Sequence, residues 1–294
     1  MREELTMFQG LHVAMVTPFR DGKVDYERLA SFASGLVKAG CDGLVPCGCT
    51  GEAATLSFEE RRGVIRTVIE VASGRCQVIA GTGTNNTADS IKYSLMAKDL
   101  GADAVMLITP YYNKPGPAGQ YQHFKTIAEA VRLPVVLYNV PGRTGVNMLP
   151  ETVWRLSEVD NIVAIKEASG SLDQVSHILS GSGITVLSGD DSLTLPMLSL
   201  GATGVISVAG NIVPESMKEM LTKFSAGDIE GSRAVHFDLL PLFKALFLET
   251  NPSPVKKACE LLRICSGELR LPLVAVGRET EEVLRGELRR LRKL

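Results

Sequence analysis

A lysine that ends an apolar run is the residue best suited to covalent chemistry. In Ile162-Val163-Ala164-Ile165-Lys166-Glu167-Ala168-Ser169-Gly170, consecutive small or branched apolar residues predict a strand buried on both faces, and Ser169-Gly170 predicts the turn that ends it. Lys166 then stands at the C-terminal tip of an interior strand. An ammonium among apolar side chains loses hydration, which favours the free amine near neutral pH. A free amine attacks a ketone and forms a Schiff base. An isolated lysine at such a tip more often snorkels to water or pairs with a carboxylate, so the rest of the chain must decide.

The elements that position this lysine repeat one unit. His12–Val16 predicts a strand before Thr17-Pro18, followed by a helix over Tyr26–Lys38 that stops at Ala39-Gly40. Gly43–Pro46 is the next strand, ahead of the loop Cys47-Gly48-Cys49-Thr50-Gly51-Glu52, and Ser57 with Glu60 reads as the capped start of a helix to Ala72. Gln77–Ala80 leads to Gly81-Thr82-Gly83-Thr84-Asn85-Asn86 and a helix ending near Leu100, and Ala104–Ile108 to Thr109-Pro110-Tyr111-Tyr112 and a helix from near Gln120 to Ala130. Val135–Tyr138 leads to Asn139-Val140-Pro141-Gly142-Arg143-Thr144-Gly145, with a helix near Leu149–Leu156 before the lysine strand. Ile184–Leu187 and Gly204–Ser207 complete eight strands, each but the last followed at once by a helix.

Strand-helix alternation requires parallel strands joined by right-handed crossovers. Eight units predict a closed (β/α)8 TIM barrel, with chemistry on the loops at the C-terminal strand ends. The alternative, an open doubly wound sheet with Gly81-Thr82-Gly83 as a dinucleotide turn, lacks the third glycine and the acidic residue that turn needs. Residues 1–214 are assigned to the barrel, and 215–294 to a C-terminal helical appendage broken at Asn251-Pro252-Ser253-Pro254, with Glu279–Lys293 as a surface helix.

Composition narrows the function. The 294 residues carry 45% hydrophobic and 22% charged side chains and a net charge of −2, a globular composition without the basic footprint that nucleic acid or an anionic membrane would require. Met1-Arg2-Glu3-Glu4-Leu5 shows no signal peptide and no later segment approaches a membrane span, so a cytoplasmic enzyme is expected. The six cysteines and four scattered histidines (His12, His123, His177, His236) give neither a disulfide framework nor zinc spacing, although Cys41 lies near Cys47-Gly48-Cys49. Reduced, mostly buried cysteines are expected.

Gly48-Cys49-Thr50-Gly51-Glu52, Thr109-Pro110-Tyr111-Tyr112-Asn113-Lys114-Pro115, Tyr138-Asn139-Val140-Pro141-Gly142-Arg143-Thr144-Gly145, Ile165-Lys166-Glu167-Ala168 and Ser188-Gly189-Asp190-Asp191 resemble, in order, the motifs of the dihydrodipicolinate synthase and N-acetylneuraminate lyase superfamily. Asn251-Pro252-Ser253-Pro254-Val255-Lys256 resembles a segment of the family's helical appendage. Arg143 makes the chain most similar to the synthases. The resemblance implies that Lys166 condenses with pyruvate, that the enamine attacks L-aspartate 4-semialdehyde, and that no metal or organic cofactor is needed because the imine is itself the electron sink.

It further implies that Tyr138, at the neighbouring strand tip, shuttles protons, and that Cys49 and Thr50 lie in the turn that holds the pyruvate carboxylate. Arg143 would grip the carboxylate of the aldehyde, with Gly189 and Ile206 completing the substrate-binding set. Tyr112 would reach across a dimer interface in a homodimer or homotetramer. Each has a plainer reading: a core tyrosine, a tight βα turn, a surface ion pair.

Two departures stand out. The family's proton relay has threonine where this chain has Cys49, a weaker donor and acceptor. Some relatives bind lysine as a feedback inhibitor with histidine and acidic side chains around the positions of Phe58, Arg61 and Asp89; Phe58 and Arg61 depart from that pattern, so weak or absent inhibition is expected, although Asn85 and Tyr111 agree with it. A different pyruvate-dependent lyase on the same barrel, and a barrel retained only as a binding protein, are the competing readings.

Overall fold

A computed structural model describes residues 8–294; the reading of Met1–Leu5 therefore lies outside the described residues. Eight parallel strands close into a barrel: β1 Gly10–Ala14, β2 Gly43–Val45, β3 Gln77–Gly81, β4 Ala104–Ile108, β5 Val135–Asn139, β6 Ile162–Glu167, β7 Thr185–Ser188 and β8 Gly204–Ser207. The helices are α1 Tyr26–Lys38, α2 Phe58–Ala72, α3 Thr87–Leu100, α4 Pro117–Val131, the short α5 Pro141–Thr144, α6 Pro150–Ser157, α7 Leu172–Gly181, α8 Thr194–Leu200, α9 Pro214–Ser225, α10 Ile229–Ala245, α11 Ser253–Leu261 and α12 Arg278–Arg290. The predicted (β/α)8 barrel with C-terminal helices is the architecture observed. Among the described residues no helix is long and apolar enough to cross a membrane.

By density of contacts the chain divides into two compact units, residues 8–10 with Ile79–Ile206, and Leu11–Val78 with Ser207–Leu294. The first holds most of β3 and β8 and all of β4 to β7. Its strands are buried nearly end to end, which is why they read as unbroken apolar runs rather than alternating ones. In the second unit, α1 is capped by Asp25, whose side chain accepts from the Arg28 N–H, and α2 opens with the Ser57/Glu60 capping box.

Where boundaries differ from the sequence reading, local chemistry explains it. β1 pairs only to Ala14 because the Asn211 side chain takes over, accepting from the Val16 N–H at 3.1 Å and donating to the Ala14 carbonyl at 2.8 Å. α4 starts at Pro117, after Gly116, because proline suits the first helical position. A two-stranded hairpin, Phe19–Arg20 against Lys23–Val24, was not anticipated. Its turn residues Asp21 and Gly22 both have positive φ, 52° and 75°, as an Asp-Gly hairpin turn requires.

Candidate active site

Strand register brings the lysine and a tyrosine together. β5 pairs with β6 so that Tyr138 lies opposite Lys166 and Asn139 opposite Glu167. Successive strand residues point to opposite faces, so Tyr138 and Lys166 share one face and Asn139 and Glu167 the other. Lys166 is 4% exposed, and its Nζ sits 4.2 Å from the centroid of the Tyr138 ring. The ring face is electron-rich and attracts a cation there.

Room for the lysine comes from a glycine. A Cβ on Gly189 would lie 3.1 Å from both Cγ and Cε of Lys166 and 2.7 Å from the Ala168 Cβ, and the Gly189 N–H donates to the Glu167 carbonyl at 2.8 Å. A side chain there would displace the amine. Ile206 is fully buried in β8.

Arg143 lies exposed on α5, in the loop that follows Tyr138. Tyr112 is 89% exposed and has φ of 69°, a left-handed conformation that is costly for a bulky side chain. Asn85 braces this loop, with its Nδ2 on the Tyr111 carbonyl at 3.2 Å and its own carbonyl accepting from Asn113 Nδ2 at 2.8 Å. Lys166, Tyr138 and Gly189 are therefore gathered at one place, whereas Tyr112 stands out into solvent.

The second unit builds the turn after β2. Thr50 is buried, and its hydroxyl accepts from Asn251 Nδ2 at 3.0 Å. Cys49 beside it is half-buried. Glu52, at φ 52°, is fully buried and pairs with Lys256 Nζ at 2.7 Å, while its other oxygen accepts from the Arg270 N–H at 3.0 Å. Burial pushes the Lys256 ammonium below its ordinary range, and the Glu52 charge partly restores it. The Thr17 hydroxyl donates to the Gly51 carbonyl at 2.7 Å. This turn is held from the C-terminal segment by three contacts, from Asn251, Lys256 and Arg270.

Sequence reasoning missed Glu167, Asn139, Asn251 and the Glu52–Lys256 pair as site residues, although each lies in a motif it singled out. The available signal was two adjacent polar residues closing a buried strand, since a pleated strand must send them to opposite sides. Glu167 is 1% exposed. Burial raises its carboxyl pKa, and hydrogen bonds from Ser169, Asn139 and Gln174 oppose that rise.

Residues 7–291 match the model of the dihydrodipicolinate synthetase family. The 4-hydroxy-tetrahydrodipicolinate synthase of Pelobacter propionicus is 54% identical over 92% of this chain and 94% of its own. The crystal structure of dihydrodipicolinate synthase from Aquifex aeolicus superposes with a TM-score of 0.95 at 47% identity, covering 97% of this chain and 98% of that one. The Acinetobacter baumannii enzyme, solved in complex with pyruvate, gives 0.95 at 43% identity, over 97% and 99% of the two chains. The family match and the named relatives define the class, a Schiff-base-forming lyase. The chain belongs to the dihydrodipicolinate synthetase family.

Proposed function

We infer that the protein condenses pyruvate with L-aspartate 4-semialdehyde to give 4-hydroxy-tetrahydrodipicolinate, a step of lysine and diaminopimelate synthesis. The observation that carries this reading is the buried Lys166 amine held over the Tyr138 ring at the C-terminal end of β6. The amine adds to the pyruvate C2 carbonyl and water leaves, giving a protonated imine. The imine draws electrons as a methyl proton departs, and the enamine attacks the aldehyde carbon, whose oxygen takes a proton. The substrate's own amine then displaces Lys166 from C2. The Tyr138 hydroxyl carries protons in these steps.

Thr50 holds the pyruvate carboxylate, with Cys49 in the position where relatives carry a relay threonine. Arg143 meets the carboxylate of the aldehyde with its two-pronged guanidinium, and Gly189 and Ile206 shape the space around the imine. Residues 1–214 serve as the catalytic barrel and 215–294 as its helical support, in a cytoplasmic homodimer or homotetramer. The exposure of Tyr112 favours assembly, because a large aromatic ring left in water gains by being covered. No nucleic acid, membrane or organic cofactor enters the scheme.

A coupled assay comparing aspartate semialdehyde with sialic acid and 2-keto-3-deoxy sugar acids tests the substrate. Turnover with the semialdehyde alone is expected. Faster cleavage of a sugar acid would transfer the chain to a sister activity.

A further inference from the structure

Behind the Lys166–Tyr138 face lies a closed polar network. The Glu167 carboxylate accepts from Asn139 Nδ2 at 3.1 and 3.3 Å, from the Ser169 N–H at 2.7 Å and from Gln174 Nε2 at 3.3 Å. Asn139 Nδ2 also donates to Asn147 Oδ1 at 2.7 Å, and Asn139 Oδ1 accepts from the Met148 N–H at 2.9 Å. Asn147 and Gln174 exchange amide hydrogen bonds of 2.7 and 3.2 Å. The segment that leaves β5 after Asn139 thus returns to the Asn139 side chain at Asn147 and Met148. Its neck is pinned by one amide, which is in turn held by Glu167. Arg143 rides on this loop. A second brace comes from Gln120, whose Nε2 reaches the Pro115 and Asn147 carbonyls at 3.0 and 3.5 Å.

We propose that Glu167, acting through Asn139 and Asn147, is a positioning residue that sets the aldehyde subsite: it fixes the neck of the 140–147 loop and so the place where the Arg143 guanidinium meets the second substrate. This rests on the reading of Arg143 as the aldehyde's carboxylate partner. Register supplies the logic. The same two strands that present Tyr138 and Lys166 on one face carry Asn139 and Glu167 on the other. Pyruvate activation and aldehyde docking therefore share a frame but depend on different sides of it. Buried networks whose members satisfy one another confer this kind of rigidity.

Three variants test the proposal, each assayed by steady-state kinetics for both substrates and by borohydride trapping with pyruvate alone. Asn147→Ala removes the hub of the neck without touching either catalytic strand. Glu167→Gln keeps the shape but turns an amide donor toward the donors of Asn139, Ser169 and Gln174. Arg143→Ala is the reference. The proposal expects Asn147→Ala and Glu167→Gln to raise KM for aspartate semialdehyde about tenfold, near the value of one buried hydrogen bond, with KM for pyruvate and trapping yield changing less than about twofold. Unchanged KM for the aldehyde in Asn147→Ala, or an equal rise in both KM values, overturns it. If Arg143→Ala raises KM for the aldehyde and Asn147→Ala does not, the loop-neck inference fails while the reading of Arg143 stands. If Arg143→Ala leaves that KM unchanged, the reading of Arg143 fails and takes the proposal with it. Should Glu167→Gln not fold, Asn147→Ala decides.

Discussion

Replacing Lys256 with methionine leaves the Glu52 carboxylate stranded. Both side chains of the pair are fully buried at an N···O distance of 2.7 Å, so water cannot replace the lost partner. Lys256 Nζ also donates to the Glu268 carbonyl and sits 4.1 Å from the centre of the Phe19 ring, which the Arg270 guanidinium also approaches, at 4.4 Å. Removing one member of a buried ion pair costs about 3–5 kcal/mol, a large part of the roughly 5–15 kcal/mol that keeps a protein folded. At about 2 °C per kcal/mol for a large domain, the melting temperature should fall by roughly 6–10 °C. Glu52→Gln combined with Lys256→Met keeps an acceptor for the Arg270 N–H but removes the buried charge, and is expected to recover about half of the loss. Urea unfolding of the two variants, with KM for pyruvate measured in parallel, provides the test. A single variant within about 1 kcal/mol of the parent, or a double variant no better than the single one, would refute the reasoning.

Further outcomes follow from other contacts. Cys49→Thr restores a hydroxyl to the proposed relay and should preserve or raise synthase kcat, by up to about fivefold for one improved hydrogen bond; a lower kcat contradicts the relay. Half-maximal inhibition by lysine should require well above micromolar concentrations, the expectation carried by Phe58 and Arg61 where lysine-binding relatives have histidine and acidic side chains; titration of the initial rate decides. Stability should decline as pH falls. Buried His123 has its pKa lowered to about 4 from 6.5, so its contribution is complete above pH 6.5 and is lost toward pH 4 as the unfolded state takes the proton first. Glu60, held to about 2 by the Arg270 hydrogen bonds against an ordinary 4.5, loses its contribution from pH 4.5 downward. Glu60→Gln should flatten only the lower limb in urea titrations at fixed pH, and flattening above pH 5 instead would refute the assignment.

The barrel was legible because parallel strands covered on both faces leave unbroken apolar runs, and because Ser57 and Ala39-Gly40 mark helix ends by capping chemistry. Ala104–Ile108 and Gly204–Ser207 fall where the apolar runs place them. The lysine's setting was legible for the same reason: a charge at the end of such a run has few places to go. Tyr138 was expected beside it from the tip of the preceding strand, but the register itself was not. Register between β5 and β6, which includes an irregularity at Val135/Val136, fixes Tyr138 opposite Lys166, and no local pattern encodes it. Asn251 meets Thr50 across 201 positions and Lys256 meets Glu52 across 204. Contacts at that separation depend on tertiary packing that short motifs do not carry.

The central claim is that the Lys166 amine bonds covalently to a keto acid. Intact mass after incubation with pyruvate and borohydride is its most direct test. The account predicts one reduced pyruvate adduct per chain, located on the peptide containing Lys166 and absent in Lys166→Ala. An unmodified chain, or an adduct that survives that substitution, would contradict it.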